Sequence, residues 1–240
     1  MGAAVERPYH NDMKPRMNVS RAGAFTFLEL LLLVVAICAV VLGLLLPVMR
    51  RGDGSRSTQC LNNLKQVALA QIIWASEHVD GARFPFEVPV NEGGLQEVAV
   101  ERRSSVSYYR ELSNVLGSPK ILACPTDRQA KSAEDFAALT SSGVSYFLNV
   151  GPTSTNVATV LNGDAKLLFP GREAGNLAGL LSFTNGAALA WQQGMHGVKG
   201  SQFGNVAYVD GTCESLRNNE LLAAFFPPES SNAVVRLLFP

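Results

Sequence analysis

No excess charge of either sign runs through this 240-residue chain: 20 lysines and arginines balance 20 aspartates and glutamates. The balance excludes the broad basic footprint that grips a phosphate backbone, so no nucleic acid partner is expected. Histidines are few, His10, His78 and His196, and they stand isolated. The four cysteines, Cys38, Cys60, Cys124 and Cys213, include no pair at zinc-finger spacing, so neither a metal nor another cofactor is expected. Acids nowhere cluster as a calcium loop requires. A nucleophile elbow, a phosphate loop and a kinase signature are also missing. No catalytic residue is therefore assigned, and the chain is not read as an enzyme.

What is present is one long apolar run. From Phe25 to Met49 the sole acidic side chain is Glu29, and 25 helical residues rise about 37 Å, enough to cross a hydrocarbon core of about 30 Å. Lys14, Arg16 and Arg21 precede the run with no acid after Asp12, which favours an N-terminus left in the cytoplasm; Arg50 and Arg51 weigh against it from the far side. The run ends "LLLPVMRRGDG", without the small-x-small site of a secretory signal, and Ile37 before Cys38 does not suit lipidation. A charge at mid-span costs about 2.5–3.5 kcal/mol and calls for a partner. A cut between Ala24 and Phe25 would supply one. The new α-amino group would lie one turn from Glu29, in the same chain or a neighbour, and make the carboxylate a register pin between stacked helices.

Beyond the run the pattern changes. Gly52 and Gly54 predict a hinge. From Ser57, apolar residues recur at Leu61, Leu64, Val67, Ala68, Ile72, Ala75 and Val79, an amphipathic helix that Asp80-Gly81 ends. Short alternating segments follow. "GNVAYVDGTCESLRN" reads as a hairpin turning at Asp210-Gly211, Asn185-Gly186 predicts another, and Asn162-Gly163-Asp164 a turn between two apolar runs. In both Asp164 and Asp210 the carboxylate is expected to bond its own turn backbone. Residues 133–139 suggest one or two helical turns, Val100–Val106 an exposed loop, and 218–225 a short helix before an extended end. The class is α+β, a long N-terminal helix packed on a small antiparallel sheet. Cys60, Cys124 and Cys213 can form at most one bridge, with every pairing open. His196 is read as a surface or hydrogen-bonded structural residue.

"AGAFTFLELLLLVVAICAVVLGLLLP" resembles the N-terminal motif of type IV prepilins and type II secretion pseudopilins. The resemblance implies a cytoplasmic leader over 1–24, cleavage by prepilin peptidase between Ala24 and Phe25, and N-methylation of Phe25. It further implies a transmembrane helix over 25–49 with an outer amphipathic half over 50–79, and Glu29 as the assembly residue. Ala24 stands where the family has glycine, Gly23 lies one place earlier, and Pro47 matches the proline that closes such runs. "CLNNLKQVALAQIIWASEHVDGARFP" is similar to a stretch of a pilin-like family abundant in planctomycetes and verrucomicrobia. "ILACPTD" and "VSYFLN" resemble two more of its landmarks. "HGVKGSQFGNVAYVDGTCESL" resembles its C-terminal signature, carried here by His196, Gly204, Asn205, Asp210 and Gly211. Thirteen residues separate His196 from Asp210, against the family's usual nine. The resemblance implies a single-pass bacterial inner-membrane protein with a periplasmic domain over 80–240. Its partners would be membrane lipid and other pilin-like subunits, assembled in a fibre or pseudopilus. The rival expectation is a membrane-tethered periplasmic binding or sensory domain that never polymerises.

Overall fold

The computed structural model describes residues 26–50, 52–78, 83–151, 159–169, 171–172, 177–194, 196, 202–227 and 233–240. The expected leader, Ala24, Phe25, His10 and the Asp80-Gly81 helix stop lie outside them. The chain divides into two compact units, residues 1–48 and 49–240.

In the first unit, helix α1 (Phe27–Arg50) is nearly all aliphatic. Its stretch Phe27–Leu44 has a mean hydropathy of 2.9, and its leucines and valines are exposed, so it is long and apolar enough to cross a membrane. Helical backbone continues through position 47, where the resemblance places the proline that closes such runs. The helix starts at a capping box. The Thr26 N–H and hydroxyl both donate to Glu29 Oε2, at 2.9 and 3.0 Å, and the Glu29 N–H donates back to Thr26 Oγ1 at 3.3 Å.

Helix α2 (Gly52–Glu77) opens the second unit. Gly52 and Gly54 are helical and belong to its first turn, so the turn is not melted there, and the Thr58 hydroxyl bonds the Gly54 carbonyl at 3.0 Å; position 51, between the two helices, lies outside the described residues. Its buried residues are Cys60, Leu64, Val67, Ala68, Ala70, Gln71, Trp74 and Ala75. Periodicity points to Ile72, but the fully buried position is its polar neighbour Gln71, because Asn162 of the sheet and the Tyr108 hydroxyl satisfy the amide.

Among the described residues eight strands follow: β1 (Tyr146–Asn149), β2 (Val160–Asp164), β3 (Leu167–Leu168), β4 (Gly179–Thr184), β5 (Ala190–Trp191), β6 (Phe203–Tyr208), β7 (Cys213–Arg217) and β8 (Val234–Phe239). Six form one antiparallel sheet in the order β4-β8-β1-β2-β6-β7, and β3 pairs with β5 in a two-stranded ribbon. The central strands are buried on both faces. Tyr146 and Leu148 of β1 face the core shared with α2, and Phe147 between them faces a second core under helix α5 (Asn218–Phe225). An α+β class with a mainly antiparallel sheet is thus observed.

The β6–β7 hairpin forms as its sequence predicts, with Ala207 opposite Cys213 and Gly211 at φ +82° in the turn. Three other expectations are corrected. Asn162-Gly163-Asp164 is no turn: all three lie within β2 and are buried. Turn propensity loses there to buried side-chain bonds and to the space only a glycine leaves, since a Cβ on Gly163 would lie 2.5 Å from the Phe147 ring. Asn185-Gly186 does turn, with Gly186 at φ +102°, but the flanking strands do not pair with each other: β4 takes β8 and β5 takes β3. Residues 133–139 form bends rather than a helix, with Asp135 accepting from the Ala138 N–H at 2.7 Å. Of the expected loop at Val100–Val106, only residues 101–103 are exposed. Ser104 caps helix α3 (Ser105–Glu111), in which Ser105 is buried.

Candidate functional site

Four of the sequence landmarks converge on one buried cluster in the second unit. Cys60 on α2 is disulfide-bonded to Cys124, across 64 residues of chain. This settles the open pairing; Cys213 is free and half-buried, and Cys38 is free and exposed. Two residues past Cys124, Thr126 Oγ1 lies 2.9 Å from His196 Nδ1. On the other side of the ring, His196 Nε2 lies 2.6 Å from Oδ2 of Asp164, at the end of β2. The Asn205 N–H of β6 donates to the same oxygen at 2.6 Å, and Asn205 Oδ1 accepts from Ser215 Oγ of β7. Asp164, His196 and Asn205 are all buried.

The geometry fixes the imidazole tautomer. A buried carboxylate needs donors, so Nε2 carries the hydrogen toward Asp164, and Nδ1 presents its lone pair to the Thr126 hydroxyl. That hydroxyl has one hydrogen to give, so its approaches to Cys124 Sγ (2.9 Å) and Cys60 Sγ (3.3 Å) are packing contacts with the bridged sulfurs. The chain from Asp164 through His196 to Thr126 holds the imidazole in one orientation, with the Thr126 hydroxyl between its Nδ1 and the two bridged sulfurs.

A second polar network stands beside it. Tyr108 donates to Gln71 Oε1 at 2.8 Å, Gln71 Nε2 donates to Asn162 Oδ1 at 2.6 Å, and Asn162 Nδ2 bonds Tyr109 Oη and the Phe147 carbonyl. Burial raises the Tyr108 and Tyr109 hydroxyls above the usual phenol range, which keeps both uncharged, Tyr108 as a donor to Gln71 and Tyr109 as an acceptor from Asn162. Tyr146, also raised by burial and then by the nearby Asp164 charge, donates to the Cys60 carbonyl at 3.2 Å. Outside the cluster, Asp127, Ser145 and Lys166 border a cavity of about 210 Å³, with Lys166 Nζ 3.6 Å from Asp127 Oδ1.

The residues of the C-terminal signature separate. His196 and Asn205 enter the cluster, and Gly204 packs its bare α-carbon on Trp191, where a Cβ would lie 2.5 Å from the ring. Asp210 and Gly211 form the β6–β7 turn, Asp210 Oδ1 taking the Thr212 N–H and hydroxyl. His196 therefore partners Asp164, a residue read from sequence as part of a turn, and not the signature's own Asp210. Sequence reasoning missed Thr126 as well; the only signal for it was its place in the "CPTD" landmark. Glu29 caps α1, while Ala24 and Phe25 fall outside the described residues. Comparison with protein-family models, with curated proteins and with solved structures finds no match to this chain.

Proposed function

We propose that this protein is a pilin-like structural subunit, anchored in a bacterial inner membrane through α1 and cut between Ala24 and Phe25 by prepilin peptidase. Phe25 is then N-methylated, and the subunits assemble into a type IV pilus or a fibre of the type II secretion kind. The observation that carries this reading is Thr26-x-x-Glu29 at the head of a membrane-length apolar helix, in a chain whose other unit packs a helix on an antiparallel sheet. Ala36, Ala39 and Gly43 give the helix small surfaces for close approach; a Cβ on Gly43 would meet nothing within 4 Å. Staggered repetition of one such contact is heterologous and does not close, as a filament requires. The Cys60–Cys124 bridge supports a domain facing an oxidising compartment.

One observation favours the tethered, non-polymerising reading: Glu29 is already satisfied by Thr26 of its own chain and does not wait for a neighbour's amine. Intact mass and N-terminal sequencing, in hosts with and without active prepilin peptidase, separate the two. A mature chain that starts at methylated Phe25, and that is recovered in sheared surface fibres, is the expected result. A chain that keeps its leader in both hosts sinks the subunit reading and leaves the tether.

A further inference from the structure

We propose that the dithiol form of this protein binds one zinc ion through Cys60 Sγ, Cys124 Sγ and His196 Nδ1. These three donor atoms lie within 4.8 Å of one another, and all three residues are buried. Tetrahedral zinc, with bonds of about 2.3 Å to sulfur and about 2.0 Å to nitrogen, needs donors roughly 3.5–3.8 Å apart. Releasing the S–S bond lets the two sulfurs move to that separation without moving the histidine. The imidazole is already set for the task. Asp164 Oδ2 lies 2.6 Å from Nε2 and holds its hydrogen, which leaves Nδ1 as the acceptor on the sulfur side, where it now takes the Thr126 hydroxyl; this is the carboxylate–histidine arrangement that orients metal ligands. Thr126 Oγ1, 2.9 Å from Nδ1 and 2.9 and 3.3 Å from the sulfurs, stands where a fourth ligand or a donor to a thiolate belongs. A disulfide by itself uses neither the lone pair nor the carboxylate behind it. The sequence hides the set because the two cysteines are 64 residues apart and the histidine is 70 residues beyond Thr126.

The chemistry balances. A dithiol reductant gives two electrons and two protons, its own thiols becoming a disulfide while Cys60 and Cys124 become thiols; the same thiols exist in a new chain before any bridge has formed. Zinc then displaces both protons, and two thiolates neutralise its charge. Metal and bridge are mutually exclusive states of one pair of sulfurs, so zinc guards the thiols against oxidation.

The test uses the full chain in detergent, reduced anaerobically with a phosphine and freed of metal, and titrated with zinc or cobalt(II). Binding of one equivalent is expected, with a thiolate-to-cobalt charge-transfer band and tetrahedral visible bands, and with zinc slowing re-formation of the bridge at least about tenfold. Cys213→Ser should bind as the parent does. His196→Ala should lose the site, and Asp164→Asn should weaken it about 10- to 100-fold. Near-UV circular dichroism of each oxidised variant reports its fold. Cys124→Ser, which lacks the bridge just as the reduced parent does, is the comparison that a folding defect in the histidine variant does not touch. A reduced, folded chain that takes up no cobalt overturns the site, as does equal binding by Cys124→Ser. A reduced chain that loses its near-UV signal and does not regain it with zinc overturns it too.

Discussion

A buried carboxylate persists only where donors meet it, and Asp164 receives both the His196 Nε2–H and the Asn205 N–H on one oxygen. Its other oxygen finds no donor among the described residues, so the histidine has no substitute. His196→Ala in the oxidised protein should cost about 1.5–3 kcal/mol in urea unfolding, because it removes one of the two donors to a buried carboxylate. The double variant with Asp164→Ala should recover a large part of that loss. If the single and double variants lose equally, the pair is not coupled. Cys213 makes a pH prediction. Burial, the largest influence, and the Asp210 charge push its thiol from 9.0 up to about 11, against the pull of Lys65. Between those values the folded chain holds a proton that the unfolded chain has lost, so this contribution to stability is whole below pH 9 and falls as pH rises toward 11. The thiolate fraction is about a hundredfold lower near neutral pH than for a free cysteine. Iodoacetamide at pH 8 should label Cys213 correspondingly more slowly in the folded protein than in urea; equal rates would refute the assignment.

Single elements sort by what surrounds their backbone. Gly163→Ala in β2 drives a Cβ against the Phe147 ring at 2.5 Å and the Asn205 carbonyl at 3.0 Å, and should destabilise by about 1–3 kcal/mol. Gly54→Ala in α2 meets nothing within 4 Å and should stabilise by about 0.5–1 kcal/mol. Urea midpoints that move the same way in both variants would contradict this contrast. The bridge from α2 to the "CPTD" loop closes 64 residues and is worth about 4 kcal/mol by loop entropy, so Cys60→Ser with Cys124→Ser should show a clearly lower melting temperature in metal-free buffer. These elements also mark what the sequence made legible. Helix α2, the Asp210-Gly211 hairpin and the 218–225 helix each rest on a local signal, a 3.6-residue period or a turn dipeptide, that tertiary contacts leave standing. Asn162-Gly163 carries the same kind of signal and lies mid-strand, because its reasons are distant: Gln71, Tyr109, Phe147 and Asn205. Half the candidate site was legible for the same cause. Cys60, Cys124 and His196 stood out as chemical types, while Asp164 and Thr126 acquire roles only when β2 and the post-α4 loop are brought to the histidine; α4 itself is Ser113–Leu116. The capping box at Thr26-x-x-Glu29 is a four-residue local signal, and it gives a carboxylate at the head of an apolar run a partner three residues away.

At the scale of the molecule, two units of opposite solvent preference share one chain. The first exposes an apolar helix whose leucines and valines over Phe27–Leu44 stand uncovered. The second buries two cores on the two faces of its sheet, and α2 turns mostly polar side chains outward, Leu69 and Ile73 being its large exposed apolar residues. Solubility should therefore follow the first unit, and folding the second. The full chain is expected to sediment with membranes and to resist a carbonate wash, needing detergent for release. A chain that begins at Ser55, with α1 and the first turn of α2 removed, should stay in aqueous buffer, keep the Cys60–Cys124 bridge by mass and unfold in one cooperative urea transition. The folding side of this prediction rests on where the sheet finds its partners. Tyr146 reaches Cys60, Asn162 reaches Gln71, and both contacts survive the cut. An aggregated or non-cooperative fragment would mean that the domain needs its anchor to fold. A full chain that floats free of membranes would remove the anchor from α1 and, with it, the reason for a carboxylate to stand at the head of an apolar helix.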